Sequence, residues 1–244
     1  MATSIPASPA EPIEPVKRSI APAWHTILLV AIMLGVSFAG ADRERHVLSH
    51  GQRIGMYVMT MTAEWLVVAF VIWGVLRHKR ITLRELIGGR WNRPEDVLLD
   101  IAVAAGFLLV SMITLAGLGV ALGLNKQVAE AQKLAFLAPR GGLEVLLWIC
   151  VSSTAGFCEE LIYRGYLQRQ ITAWTNAAWI GVVVQGLLFG CSHGYEGPRR
   201  MLLIAIFGMM FGMVALWRKS LRPGMFTHAG YDIIAGLVLR MIAK

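Results

Sequence analysis

Seven apolar segments dominate this chain, at residues 24–41, 54–76, 97–124, 143–163, 171–191, 201–217 and 224–242. Most lie near the roughly 20 residues that a helix needs to cross a bilayer. In lipid every backbone N–H and C=O must be satisfied internally, so such segments are helices and not open strands. None shows the alternating pattern of a membrane barrel. Pro94, Pro139, Pro198 and Pro223 fall in the short linkers just before a segment, and none falls inside one. The expected fold is all-α, a polytopic membrane bundle of about seven or eight transmembrane helices.

Composition closes off the alternatives. Of 244 residues, 56% are hydrophobic and 16% charged, whereas a soluble domain carries about a quarter charged residues. Disorder needs the opposite balance. Three cysteines, a low and odd number, exclude a disulfide framework. The net charge of +8 sits at the ends of hydrophobic segments, the pattern of membrane anchoring and anionic lipid contact, and it predicts no nucleic-acid partner. The cluster over 77–93 argues for a cytoplasmic face and reads as a basic stretch on the membrane surface. The 24–41 segment, ending Ala39-Gly40-Ala41, is similar to a signal peptide; an uncleaved first span is the favoured reading. Residues 1–22, punctuated by five prolines, are expected to be a disordered polar tail. Residues 23–244 then form one domain with its motif-bearing core at 143–242, and 125–142 is expected to hold an amphipathic helix. The lack of repeats weighs against a transporter.

Ionisable groups inside spans are costly and are functional candidates. Asp100 and Glu144 lie near segment starts, where capping or snorkelling accounts for them; Glu64 lies mid-span without a motif. The remainder cluster late in the chain. Glu160 and Arg164 stand four apart on a helix with Glu first, the favourable order, so Arg164 is expected to neutralise Glu160. Glu159 points about 100° away and needs another partner. Phe189 and His193 share a face, as do His228 and Asp232. Taken singly, each pair is a packing or hydrogen-bonding feature. Taken together, one shared polar centre in lipid is cheaper than three. Glu159, His193 and His228 around a water are the equipment for hydrolysis. The water is either metal-bound or activated by Glu159 with the histidines stabilising the oxyanion. Cys158 and Cys191 adjoin two of these residues, but a buried thiol is a poor nucleophile. Counting residues from a turn near Thr172–Asn176 puts Glu159 and His193 at matching depth and leaves His228 too shallow.

Glu159-Glu160-x-x-x-Arg164, Phe189-x-x-x-His193 and His228-x-x-x-Asp232, in that order, resemble the three motifs of the CPBP intramembrane endopeptidases, also called the CAAX-protease and bacteriocin-processing or Abi family. The resemblance implies a site sunk within the bilayer. Glu159 would activate water, with Glu160, His193 and His228 beside it as catalytic residues and Arg164, Asp232 and Phe189 in support. A divalent metal, zinc first, would take Glu159, His193, His228 and Asp232. Asp232 stands where the family usually has Asn. The implied partners are a peptide or membrane-protein substrate and the bilayer of a prokaryotic plasma membrane. The alternatives are a non-catalytic immunity or scaffold protein and a small transporter.

Overall fold

The computed structural model describes residues 19–40, 50–88, 91–123 and 137–242, all helix and connection with no strand among them. The expected disorder of residues 1–18 and the amphipathic helix centred on Val128–Ala135 lie outside the described residues. The helices are α1 (Ala23–Gly40), α2 (His50–Lys79), α3 (Leu83–Ile87), α4 (Pro94–Ala121), α5 (Gly142–Thr175), α6 (Ala178–Cys191), α7 (Pro198–Arg218) and α8 (Arg222–Ile242). All but the short α3 correspond to the seven apolar segments. Pro94 and Pro198 each open a helix, where the missing N–H is harmless. Among the described residues four helices, α2, α4, α5 and α7, are long and apolar enough to cross a membrane.

Two expected boundaries move. The segments at 143–163 and 171–191 meet at the turn expected near Thr172–Asn176, but the two helices that they form differ in length from the expected spans. Residues 171–175 belong to α5, a helix of 34 residues, and α6 is only 14 residues long. The chain turns at Asn176 in the left-handed region, φ 53°, which Asn tolerates. No Gly or Pro marks that turn, and apolar residues run up to it on both sides. The tail also ends earlier than expected. Ile20 and Ala21 are buried, and both backbone N–H groups donate to Gln170 Oε1 at 2.7 and 3.2 Å.

α5 is the spine. At about 1.5 Å per residue its 34 residues reach about 50 Å, well beyond the roughly 30 Å hydrocarbon core. The other elements dock at successive levels along it. Near its C-terminal end Gln170 holds the start of α1. His25, fully buried, accepts from the Tyr166 hydroxyl at 2.7 Å and donates from Nε2 to the Phe70 carbonyl at 3.0 Å. Gly74 leaves the space that the His25 ring fills. One residue before Gln170, Arg169 donates to the carbonyls of Glu85 and Leu86 at 2.9 Å each, capping α3. The backbone N–H and hydroxyl of Thr82 donate to Glu85 at the other end of α3 and hold that exposed carboxyl below the usual carboxylate range. The basic 77–93 stretch is therefore clamped to the protein through buried Leu86 as well as lying at the surface.

Small residues set the α6–α7 contact. A Cβ on Gly190 would strike the Met201 carbonyl, and one on Gly186 would lie 2.9 Å from the Ala205 carbonyl. Gly208 of α7 meets Gly186 and Phe189 in return, so this small-residue stripe is spent within the chain. Gly190→Ala is expected to cost about 1–3 kcal/mol through overpacking, seen as a lower thermal unfolding midpoint in detergent. An unchanged midpoint would show that the interface has slack.

Asp100 and Glu144 are both buried and both paired. Asp100 accepts from Arg218 of α7 at 3.0 Å and from Trp91 at 2.9 Å. Glu144 accepts from Arg53 of α2 at 3.1 Å and caps its own helix by accepting from the Arg140 N–H at 2.6 Å. The capping expected of Glu144 is present, and the ion pairs go beyond it.

Candidate active site

The hydrogen-bonding pattern of α5 changes between the two adjacent glutamates. The helix is α up to Glu159 and π from Glu160 to Gln168. All nine residues of the π stretch are buried. A wider turn of this kind is rare and is frequently found at functional sites. Nothing in the apolar periodicity announces it.

Glu160 and Arg164 form the expected pair, with Nη1 donating to Oε1 at 2.8 Å and both side chains no more than 1% exposed. Arg164 also donates to the Gly208 carbonyl at 3.0 Å and lies over the rings of Phe189 and Phe211 at 4.6 and 5.0 Å. It therefore ties α5 to α6 and α7 together. Glu160 has a second partner that spacing could not reveal. Its Oε1 accepts from Nδ1 of His228 on α8 at 3.2 Å. Gly224, one turn before His228, gives this carboxylate its room, since a Cβ there would stand 2.8 Å from Glu160 Oε2.

That bond sets the direction of His228. With Nδ1 turned to Glu160, Nε2 faces Glu159 Oε2 at 3.6 Å and Asp232 Oδ2 at 3.7 Å. Residues of the first and third motifs thus meet, and the expectation that His228 is too shallow is corrected. α8 does not begin level with the Asn176 turn. A Cβ on Gly165 of α5 would touch Leu221 at 3.0 Å, so α8 starts about ten residues short of the end of α5. Six residues past that level on each helix bring His228 beside Glu159 and Glu160.

His193, just past the end of α6, turns Nδ1 to the Phe189 carbonyl at 2.8 Å. A carbonyl only accepts, so Nδ1 carries the proton, and in the neutral tautomer this leaves Nε2 as an acceptor. Ser192 donates to the same carbonyl at 2.8 Å and accepts from the Tyr163 hydroxyl at 2.7 Å, which ties this end of α6 to α5. Phe189 stands between the two histidines, its centroid 4.9 Å from His193 and 5.8 Å from His228. Phe207 and Phe211 complete the apolar wall around His228. Tyr163, Ser192, Phe207, Phe211 and Gly224 were not among the expected residues. A tyrosine inside a span, whose hydroxyl requires a partner, was the one available signal.

The expected metal ligands Glu159, His193, His228 and Asp232 do not form a ready coordination sphere. Among the described residues no three His, Cys, Asp or Glu side chains are grouped closely enough to hold an ion. Cys158, adjacent to Glu159, is fully buried.

This arrangement places Glu159 beside the carboxylate-held imidazole of His228, with the Phe189 ring between that imidazole and His193 in an apolar bundle. Residues 141–234 match the family model of Rce1-like type II CAAX prenyl endopeptidases. That is the family the three motifs resemble. The Rce1-like segment opens at the N-cap of α5 and closes within α8, so all three motifs fall inside it. Helices α1 to α4 lie outside it. No curated protein and no solved structure matches the chain.

Proposed function

We propose that this chain is a multi-pass intramembrane endopeptidase of CAAX-protease type, in which Glu159 activates water to hydrolyse a peptide bond. The observation that carries this is the approach of His228 to Glu159 at 3.6 Å, with His228 fixed from behind by Glu160 at 3.2 Å. In the proposed reaction water is held between Glu159 and the acceptor Nε2 of His193. Glu159 takes one proton as the water oxygen attacks the carbonyl carbon. His228, carrying a proton on Nε2, donates to the oxygen on which charge develops. The carbon–nitrogen bond then breaks, and Glu159 returns its proton to the departing amine. Glu160 and Asp232 hold the His228 ring in register, and Arg164 holds Glu160.

The assignment is tested with quenched peptide substrates and the purified full chain in detergent, products being identified by mass. Loss of a positioned hydrogen-bonding or acid–base group is expected to slow turnover by about 100-fold or more, so His193→Ala should fall into that range while its unfolding midpoint stays close to wild type. Cleavage at the wild-type rate by His193→Ala would overturn the reading. Biological activity that persists in such a variant would instead favour a non-catalytic scaffold.

A further inference from the structure

Tyr163 takes no part in the proposed reaction, yet its hydroxyl is engaged beside it. The residue lies one turn beyond Glu159, inside the π stretch of α5, and is 3% exposed. Its ring meets the Phe189 ring edge to face at 4.9 Å. Its hydroxyl donates at 2.7 Å to Ser192, the residue before His193.

The bonds around Ser192 form a chain that ends on the imidazole. The Phe189 carbonyl lies in the last turn of α6, where carbonyls lack a partner within the helix. The backbone N–H of His193, four residues on, donates instead to Gly190 at 3.1 Å. Two side chains take its place. Ser192 Oγ and His193 Nδ1 each lie 2.8 Å from the Phe189 oxygen. The single hydroxyl proton of Ser192 is therefore committed to that carbonyl, and its oxygen is left to accept. Two donors lie within reach of it, the Tyr163 hydroxyl at 2.7 Å and Nδ1 of His193 at 3.4 Å. Tyr163 is the closer and satisfies it, so the Nδ1 proton stays on the Phe189 carbonyl and the ring keeps one orientation.

We propose that Tyr163 is a positioning residue of this site. By giving Ser192 the donor that it needs, Tyr163 stops Ser192 from competing for the Nδ1 proton and so fixes where Nε2 of His193 points. The proposal deepens the endopeptidase reading and rests on it for what Nε2 does when water attacks. Loss of the hydroxyl strands the Ser192 oxygen, and a buried acceptor without its donor is destabilising. The Nδ1 proton of His193 is the nearest replacement. The imidazole then divides its bond between two acceptors, and Nε2 loses its fixed direction. Removing the Ser192 oxygen as well takes the competitor away. Exchange of both partners for apolar groups of similar shape is close to neutral, so the second change should undo the effect of the first.

The test compares wild type, Tyr163→Phe, Ser192→Ala and the double variant, each as the purified full chain in detergent. Isotope-labelled histidine reports the ring N–H of His193 by NMR, identified by its absence in His193→Gln, and the quenched peptides report turnover. Wild type should show one sharp N–H signal, on Nδ1. Tyr163→Phe should broaden that signal and lower kcat by about tenfold with KM little changed, short of the roughly 100-fold that loss of a whole acid–base group brings. The double variant should recover the sharp signal and most of the turnover, which a merely structural role for Tyr163 would not allow. A wild-type proton on Nε2, a signal unmoved in Tyr163→Phe, or a double variant as impaired as Tyr163→Phe overturns the assignment. If Tyr163→Phe does not fold, Ser192→Ala and the double variant decide. Both lack the competitor and should keep the wild-type signal, and its loss in either overturns the assignment. The expected signals without cleavage by any of the proteins would count against hydrolysis and leave Tyr163 assigned. Cleavage by wild type, with a signal indifferent to Tyr163→Phe, would do the reverse.

Discussion

Glu159→Gln is expected to lower kcat by at least about 1000-fold, within the range that a positioned general base contributes. Glutamine keeps the size and the acceptor oxygen of the side chain but cannot take a proton from water. KM should change little, because the proposed role of Glu159 begins only when water attacks. The unfolding midpoint should also change little. The Glu159 side chain is 20% exposed and its Oε2 makes no hydrogen bond among the described residues, so the fold does not depend on its charge. A purely structural glutamate would show the opposite pattern, with a shifted midpoint and intact turnover. Cleavage by Glu159→Gln within tenfold of wild type, measured with enzyme whose midpoint is unchanged, would remove Glu159 from the mechanism. The contrast with Glu160→Gln sharpens the test. That change loosens the Arg164 pair and the hold on His228 together, so stability and turnover should both fall.

Much of this site was legible in the sequence, because charge inside an apolar span stands out. Glu160 and Arg164, Phe189 and His193, and His228 and Asp232 were each paired by helical spacing, and each pair lies close in the fold. Three features were not legible. The π stretch from Glu160 to Gln168 leaves no mark on apolar periodicity, since all its residues are buried and no face of it is polar to the solvent. The level at which α8 joins α5 depends on Leu221 docking against Gly165 and on α3 lying beneath both, which is a tertiary fact. Counting residues from a turn assumes that neighbouring helices begin together, and a spine longer than the bilayer is thick breaks that assumption. The bond from His228 to Glu160 was hidden for a related reason. With Arg164 paired to Glu160 by helical spacing, nothing in the sequence marks the second bond that the same oxygen accepts.

Arg164→Ala is expected to destabilise the protein by about 3–5 kcal/mol, the cost of leaving a buried charge without its partner. The loss has identifiable parts. Glu160 would remain buried with only His228 to answer it, the Gly208 carbonyl of α7 would lose its donor, and the rings of Phe189 and Phe211 would face a cavity where the guanidinium had lain. A second variant separates charge from shape. Replacing both partners, as Glu160→Gln with Arg164→Met, removes the charge and fills most of the volume. A buried ion pair exchanged for well-packed neutral groups is often nearly neutral in stability, so the double variant should unfold at a higher temperature than Arg164→Ala alone. Its turnover should nonetheless stay low, because glutamine holds the His228 imidazolium far less well than a carboxylate does. Thermal unfolding in detergent measures the first effect, and peptide cleavage the second. If Arg164→Ala unfolds at the wild-type midpoint, the pair does not hold the bundle together. If the double variant regains both stability and turnover, the Glu160 carboxylate is there for folding alone and the orientation of His228 must come from Asp232.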